Sequence, residues 1–238
     1  ARVAGREHSA MMLSACFTRG GMTCVSCHSM HDAPADKQVK PALEGDAMCT
    51  QCHAQVPEHS HHAPASSGAR CINCHMPRVT YGLLAARPNH RFDIPTASGV
   101  GTRDKPNACN LCHLDQTLSW TAKALERWYG APAPALPEEH TRTAASIVWA
   151  LSGDAAQRAV TAWHLGWSEA RATAREGWTT PVLATLLEDR YAAVRFMAGR
   201  SLFANTDAQG PYDFVAPPQR RAEVAQHALQ QWRAQAAG

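Results

Sequence analysis

No apolar run in the sequence is long enough to cross a membrane, and neither sign of charge is in large excess. The 238 residues include 23 Lys and Arg and 20 Asp and Glu, which gives a formal net charge of +3. A balance this small does not favour a nucleic-acid partner, and without a long apolar run we expect no membrane-spanning helix. The residues that follow Ala1 also lack the apolar core of a signal peptide. We therefore expect a mature or trimmed form of the protein.

Cysteine and tryptophan are each missing from one part of the chain. All nine cysteines lie at or before residue 112, whereas all seven tryptophans lie at or after residue 120. The first part has no hydrophobic periodicity, and proline and glycine break any long helix or strand in it, so it should be mostly loop with short helices. The second part has no nucleophile motif and no glycine-rich phosphate loop, so no catalytic residues are predicted. This contrast predicts two domains, residues 1–114 and residues 115–238.

Four copies of one pattern use eight of the nine cysteines. In each copy, two residues separate the cysteines and a histidine follows directly. The copies are Cys24, Cys27 and His28; Cys49, Cys52 and His53; Cys71, Cys74 and His75; and Cys109, Cys112 and His113. This is the spacing of c-type haem attachment, in which the thiols bond the two vinyl groups of a porphyrin and the histidine ligates the iron. We predict four haem c groups per chain.

A single copy of this pattern could instead be half of a zinc site or a redox dithiol. Zinc ribbons have no use for a histidine after every second cysteine, and redox dithiols do not occur in fours. Four copies therefore favour haem, with the macrocycles forming most of the core of the first domain. Because this kind of attachment takes place after export, we predict a bacterial protein of the periplasm or the extracellular space.

The opposite face of each iron requires a second ligand, and the first domain holds six further histidines: His8, His31, His59, His61, His62 and His90. Methionine is the rival ligand, although packing on a porphyrin face is the more usual role of its soft side chain. The remaining histidines, His140, His164 and His227, are expected on helix faces or at the surface. Basic residues are expected either to pair with haem propionates or to form a solvated face: Arg78, Arg87, Arg91, Arg103 and Lys105. Cys16, the unpaired cysteine, is either an inert buried thiol or a reactive one.

The order of the motifs resembles the bacterial multihaem c-type cytochromes with doubled CxxCH motifs. The segments that carry the resemblance are Cys24 to His31, His61 and His62 ahead of Cys71 to Pro77, Asn89 to Arg91, and Pro106 to His113. It extends over nearly the whole chain, including a helical repeat tail. Longer members carry further CxxCH motifs ahead of the region that matches Arg2 to His8.

The resemblance also implies a set of distal iron ligands. In that family His31, one of His61 and His62, and His90 would be distal ligands, and His8 would complete the fourth iron. His62 is preferred to His61 because a histidine nine residues before the motif is the recurrent pattern. All four irons are then expected to have two histidine ligands.

The second domain is predicted to be all-helical, which makes the whole chain mainly α: a loop-rich tetrahaem cytochrome c domain followed by a HEAT-like helical domain. Capping residues and apolar spacing support this prediction. The predicted helices follow Asp115 as far as Gly130, and then span residues 141–151, 155–165, 181–188, 191–203 and 218–236. One segment, residues 183–202, resembles a HEAT repeat, which would make this domain a scaffold or a docking surface.

These features predict an electron carrier that is not an enzyme. Its partners would be other redox proteins or multihaem cytochromes. One alternative is a subunit of an extracellular conducting filament, formed by assembly of the chain as a homo-oligomer. Another alternative is a multihaem reductase for a nitrogen or sulfur oxyanion, which would need an iron with an open face. A variant motif or a shortage of histidines would indicate such an iron, and the sequence has neither.

Overall fold

The computed structural model describes residues 7–81, 84–97, 106–174, 177–205 and 212–236. These ranges are mainly α-helical, as the sequence predicts. Two of the basic residues considered above, Arg103 and Lys105, lie outside them. Within the described part of the chain, no helix is both long and apolar enough to span a membrane.

The chain forms two compact units. One takes its described residues from 5–78 and 88–95 and contains the first three CxxCH motifs, and we call it the three-motif unit. The other takes its described residues from 79–87 and 96–238 and contains the fourth motif, and we call it the helical unit. The division predicted from the sequence, at residue 114, instead places all four motifs in one domain because they share the same haem chemistry. Whether the haem-loaded protein divides there stays a prediction.

Short helices joined by turns make up the three-motif unit. They are α1 (Glu7–Met11), α2 (Ala15–Thr18), α3 (Cys24–Cys27), α4 (Ala47–Thr50) and α5 (Cys71–His75). Two 3₁₀ turns, Pro41–Leu43 and Ser67–Ala69, precede α4 and α5. Only three apolar side chains among the described residues of this unit are buried, those of Ala10, Met11 and Met76. The polypeptide alone therefore has almost no hydrophobic core here, as the sequence predicts.

A pair of short strands follows α5, in a segment for which the sequence predicts mostly loop with short helices. β1 (Arg78–Tyr81) and β2 (Ala85–Pro88) form a two-stranded sheet. Pro77 and Pro88 predict a break in any long strand, and each of these two strands has only four residues. β1 contains Val79 and Thr80, whose β-branched side chains favour extended backbone, and proline is tolerated at strand ends.

Nine helices are described in the helical unit. They are α6 (Ala108–Cys112), α7 (Leu118–Tyr129), α8 (Glu138–Arg142), α9 (Ala145–Ser152), α10 (Ala155–His164), α11 (Ser168–Thr173), α12 (Thr179–Leu186), α13 (Ala192–Asn205) and α14 (Pro218–Ala236). α10 packs on α9 and α13, and α12 packs on α13 and α14. Their main core includes the fully buried side chains of Leu165, Leu183, Leu187 and Val194. Whether these helices are HEAT repeats stays a prediction.

Most of the predicted helices are present, with some changes at their ends. α7 is capped by Thr117 rather than Asp115, and it ends at Gly130, which has a left-handed backbone. α10 begins after Asp154, whose side chain forms a capping box with Gln157. α14 has the predicted bounds, Pro218–Ala236. The helix α11 was not predicted.

One predicted helix, residues 141–151, is divided into α8 and α9. Between these two helices, Thr143 has an extended backbone and Ala144 has a non-helical one. Ala144 forms an isolated bridge with Thr117, and the N–H of Ala145 donates a 3.0 Å hydrogen bond to the carbonyl oxygen of Gln116. The helix is interrupted because Ala144 and Ala145 pair with Thr117 and Gln116, which lie just before α7 and are distant in sequence.

Candidate haem-attachment sites

Each CxxCH motif begins on a short helical turn. In three of the motifs the backbone N–H of the histidine donates to the carbonyl oxygen of the first cysteine: His28 to Cys24 at 2.9 Å, His53 to Cys49 at 2.9 Å and His113 to Cys109 at 2.7 Å. All nine cysteines lie within the described residues, and none of them forms a disulfide bond. A turn of this kind brings the two thiols and the imidazole to one side of the backbone, which fits two thioether bonds and one iron ligand.

At the first motif, the chain folds back and orients the imidazole of His28. Nδ1 of His28 lies 3.1 Å from the carbonyl oxygen of Gln38, which has a left-handed backbone with φ of 53°. The N–H of Lys40 donates to the carbonyl oxygen of Cys27 at 3.0 Å and holds this loop in place. Because a carbonyl oxygen can only accept, Nδ1 carries the proton and Nε2 keeps the lone pair that binds a metal.

A second imidazole faces His28. The ring centroids of His28 and His90 are 6.1 Å apart, and the ring planes differ by 26°. Two imidazoles that ligate one metal through Nε2 have centroids roughly 6 Å apart, because each metal–nitrogen bond is about 2 Å long and each centroid lies roughly 1 Å behind its nitrogen. Burial lowers the pKa of His90, which favours the neutral form that can ligate a metal. The pair therefore fits the two axial positions of a haem iron.

At the third motif, backbone groups hold His75 on both sides. Nδ1 of His75 lies 2.7 Å from the carbonyl oxygen of Asp93, and the N–H of Asp93 donates to the carbonyl oxygen of His75 at 3.0 Å. The carboxylate of Asp46 accepts a 3.0 Å hydrogen bond from the N–H of Cys71, at the start of α5. The Nε2 of His75 again keeps its lone pair for a metal.

A second opposed pair of histidines lies at this motif. The ring centroids of His59 and His75 are 6.1 Å apart, with 40° between the ring planes. Nδ1 of His59 lies 2.9 Å from the carbonyl oxygen of Pro57. His59 was among the six candidate histidines of the first domain but not in the set implied by the resemblance. Its proximity to His75 arises from a turn that the motif spacing does not reveal.

His61 and His62 belong to the same turn as His59. Nδ1 of His62 lies 2.6 Å from the carbonyl oxygen of Ser60, and its ring lies against Gly68. His61 is exposed and has a left-handed backbone with φ of 55°. Which iron either residue ligates stays a prediction.

Contacts join the first, second and third motifs to one another. Nε2 of Gln51, inside the second motif, lies 3.8 Å from Sγ of Cys27 in the first. Burial raises the pKa of Cys27, and the nearby Cys52 thiol adds to the effect. Burial likewise raises the pKa of Cys49 to about 12, with the thiol of Cys71 as the next contribution. The sulfur atoms of successive motifs therefore lie close together.

The fourth motif is built into the core of the helical unit. Asn110, inside the motif, is fully buried, and its side-chain N–H groups donate to the carbonyl oxygens of Gln116 and Thr117 at 2.9 and 3.2 Å. The Thr121 hydroxyl donates to Oδ1 of Asn110 at 2.7 Å. The ring of His113 packs against Trp120, with centroids 5.0 Å apart. This motif thus sits in a polypeptide core, unlike the other three.

The other predicted ligands occupy varied surroundings. His8 is exposed and makes an edge contact with Phe17, and His31 is exposed beside Ser29. Their pairing with particular irons stays a prediction, as does the role of Cys16. In the helical unit, His140 and His164 lie on α8 and α10 and are 6% and 5% exposed, so of the two expected positions they have the helix-face one and not the surface one. His227 is exposed, as expected.

The three-motif unit has apolar side chains that the polypeptide leaves uncovered. Leu13, Val25, Met30 and Ile94 are between 68% and 81% exposed. Val25 lies between the two cysteines of the first motif, and Met30 follows its histidine by two residues. Apolar side chains exposed beside an almost empty core fit a unit that packs around macrocycles.

The family described as Doubled CXXCH motif matches residues 17–58, which include the first two motifs. No curated protein and no solved structure matches the chain. The motif indicates covalently bound haem c, in agreement with the arrangement of thiols and imidazoles. The chain therefore carries the paired haem-attachment motif of c-type cytochromes.

Proposed function

We propose that the protein is an exported electron carrier with four haem c groups. Each haem would be bonded to the two cysteines of one CxxCH motif, and its iron would have two axial histidines, one from the motif and one from elsewhere in the chain. The observation that carries this proposal is the 6.1 Å separation of His28 and His90. Haem iron with two nitrogen ligands supplies reversible one-electron exchange.

The chain's residues keep two of the proposed iron ligands, His28 and His75, in a fixed orientation. The carbonyl oxygens of Gln38 and Asp93 accept from Nδ1 of His28 and His75, which sets the tautomer and the direction of Nε2. An imidazole held in this way does not need to reorient when the charge of its metal changes. Such rigid ligation suits electron transfer, which proceeds faster when little reorganisation accompanies it.

Two axial histidines per iron favour a carrier over an enzyme. A substrate needs an open position on the metal, and His90 would fill the second ligand position of an iron that His28 binds. The contacts between Gln51 and Cys27 and between Asp46 and Cys71 bring successive attachment sites together. This supports a path for electrons through the three-motif unit.

The helical unit is proposed as a scaffold that carries the fourth haem and presents a surface to redox partners. Its core is formed by ordinary packing and surrounds the fourth motif at Asn110 and Leu111, which are 0% and 1% exposed. Other redox proteins or multihaem cytochromes outside the cytoplasm are the proposed partners, and a HEAT-like surface would suit their docking.

Three measurements on the unsubstituted protein test the proposal. Denaturing mass spectrometry should find four haem masses on the polypeptide, and low-temperature EPR of the oxidised protein should find only low-spin iron. Turnover of nitrite, hydroxylamine or sulfite should be negligible. A high-spin iron together with turnover of roughly one per second or faster would establish an enzyme instead.

A further inference from the structure

We propose that His59, rather than His61 or His62, is the iron ligand opposite His75 at the third attachment site. This deepens the proposed function and rests on it, because it requires haem at Cys71 and Cys74. The proposal assigns a ligand that neither the motif spacing nor the match to residues 17–58 identifies.

The first support is the agreement between two independent histidine pairs. His59 and His75 have ring centroids 6.1 Å apart, the same separation as His28 and His90. Each pair joins a motif histidine to a histidine outside any motif. A separation of roughly 6 Å is what one metal between two Nε2 atoms requires. Aromatic rings in ordinary contact have centroids roughly 4.5–7 Å apart, so the separation is compatible with a shared metal and the hydrogen bonds of the rings must support the choice.

The second support is the hydrogen bonding of the two rings. Nδ1 of His75 faces the carbonyl oxygen of Asp93 at 2.7 Å, and Nδ1 of His59 faces the carbonyl oxygen of Pro57 at 2.9 Å. In both rings the proton is therefore on Nδ1, and Nε2 keeps a lone pair. Histidines that ligate metals usually donate their other N–H to a carbonyl or a carboxylate in this way.

The third support is the turn that separates His59 from its neighbours. The carboxylate of Glu58 accepts from both the N–H and the hydroxyl of Ser60 at 2.7 Å. The Ser60 hydroxyl in turn accepts from the N–H of His62 at 3.2 Å. These bonds fix the backbone direction on each side of His61, so the rings of His59 and His62 are set by separate contacts.

His62 is held at a different place from His59. A Cβ atom on Gly68 would lie 2.2 Å from Cδ2 of His62, so the His62 ring is packed directly on the Gly68 backbone. Its Nδ1 is also bonded to the carbonyl oxygen of Ser60. His62 is therefore a ligand candidate for another iron, and His61, exposed on its left-handed backbone, serves the turn itself.

The test uses the fully loaded protein with His59→Ala, His61→Ala and His62→Ala made singly. Denaturing mass spectrometry first establishes that each variant keeps the haem content of the unsubstituted protein, since the thioether bonds do not involve these residues. EPR then counts high-spin irons. We expect one additional high-spin iron in His59→Ala, its return to low spin on addition of imidazole, and no change in His61→Ala.

A double variant identifies which iron His59 serves. His75→Ala alone should perturb one iron. If His59 and His75 ligate the same iron, the double variant His59→Ala/His75→Ala should still perturb only one iron. If His62 ligates a different iron, the double variant His62→Ala/His75→Ala should perturb two irons. Two perturbed irons in the His59 double variant would overturn the proposal, as would an unchanged EPR spectrum of His59→Ala.

A conservative substitution keeps the test independent of folding. His59→Met retains a ligand atom at this position and should raise the potential of one haem, because methionine ligation favours reduced iron. Unchanged potentials for all haems would contradict the assignment. High-spin iron or missing haem in the unsubstituted protein would contradict the proposed function. The His59 assignment is contradicted only by results on the variants, so the two failures can be told apart.

Discussion

Asp93 holds His75 through both of its backbone polar groups: its carbonyl oxygen lies 2.7 Å from Nδ1, and its N–H donates at 3.0 Å to the carbonyl oxygen of His75. Three residues earlier, His90 faces His28 at the first motif. Residues 89–93 therefore serve two attachment sites at once. On the proposed ligation, they would supply an iron ligand to one haem and orient the axial histidine of another.

Substituting Asp93 with proline should disturb the haem at the third motif and leave its iron low-spin. Proline removes the N–H that donates to His75, a loss of about 1 kcal/mol of stability for one backbone hydrogen bond. We expect the EPR g-values of one low-spin iron to shift as the His75 ring reorients. Asp93→Ala is the matched control, because it keeps both backbone groups and should leave the spectrum unchanged. A high-spin signal in Asp93→Pro would contradict this explanation.

Substituting Asp46 with alanine should loosen the start of α5. The carboxylate of Asp46 accepts from the N–H of Cys71 at 3.0 Å, and loss of a side-chain acceptor at a helix start costs about 1 kcal/mol. We expect a lower free energy of unfolding in urea and a normal haem content. Asp46→Asn retains an acceptor oxygen and should recover most of the loss. If the alanine and asparagine variants both have the same free energy of unfolding as the unsubstituted protein, this hydrogen bond contributes nothing to stability.

Adding a methyl group at Gly68 should displace the ring of His62. The new Cβ would lie 2.2 Å from Cδ2 of that ring, well inside any tolerated contact. Overpacking of this kind typically costs 1–3 kcal/mol, and we expect about that loss of stability. Ser67→Ala, in the same 3₁₀ turn, adds no atoms and serves as the control. If His62 ligates an iron, Gly68→Ala should also change the EPR spectrum, whereas a spectrum identical to that of Ser67→Ala would count against a ligand role for His62.

The sequence predicts this protein well where the chemistry is local. The CxxCH motifs contain both thiols and an imidazole within five residues, so spacing alone is enough to predict the attachment sites. The start of α10 after Asp154 and the end of α7 at Gly130 can also be predicted from local sequence. Helix capping by an aspartate and a left-handed backbone at a glycine both depend mainly on the residue itself. Contacts between distant residues are different. The break between α8 and α9 depends on the bridge from Ala144 to Thr117.

The contact between His59 and His75 is the clearest example of this limit. His59, His61 and His62 lie within four residues of one another, and nothing in their spacing says which one meets His75. The choice depends on the bonds of Glu58 and Ser60, which turn the backbone between them. A rule based on the recurrent position of a histidine before a motif cannot capture a turn of this kind.

Removing the carboxylate of Asp189 should destabilise the helical unit strongly. Arg158 is only 8% exposed, and its Nε and Nη2 donate to Asp189 at 2.7 and 3.2 Å. Asp189→Ala leaves the buried guanidinium without its counter-charge, which costs about 3–5 kcal/mol. Thermal unfolding followed by helical circular dichroism at 222 nm would measure the loss. The exposed Arg220–Glu223 pair is the control, and Glu223→Ala should change stability by less than about 1 kcal/mol. Similar losses in the two variants would contradict a special role for the buried pair.

The fourth motif should be part of the folding unit of the helical region, so a fragment of residues 106–238 should be more stable than one of residues 115–238. Leu111 and Leu114 are 1% and 0% exposed and belong to the two cores of that unit. The hydroxyls of Ser146 and Thr173 also donate to the carbonyl oxygens of Leu114 and Cys112. A cut at residue 115 removes all of these contacts.

The size of that difference follows from the burial of the two leucines. Burying a leucine side chain contributes about 1.5–3 kcal/mol, so the shorter fragment should lose roughly 3–6 kcal/mol. Urea unfolding of both fragments, made without haem and kept reduced, would measure it. Within the longer fragment, Leu114→Ala should cost about 2–5 kcal/mol, while Leu151→Ala, at a side chain that is 52% exposed, should cost far less. If the two fragments unfold at the same urea concentration, the fourth motif folds apart from the helices, and residue 115 is the boundary that composition predicts.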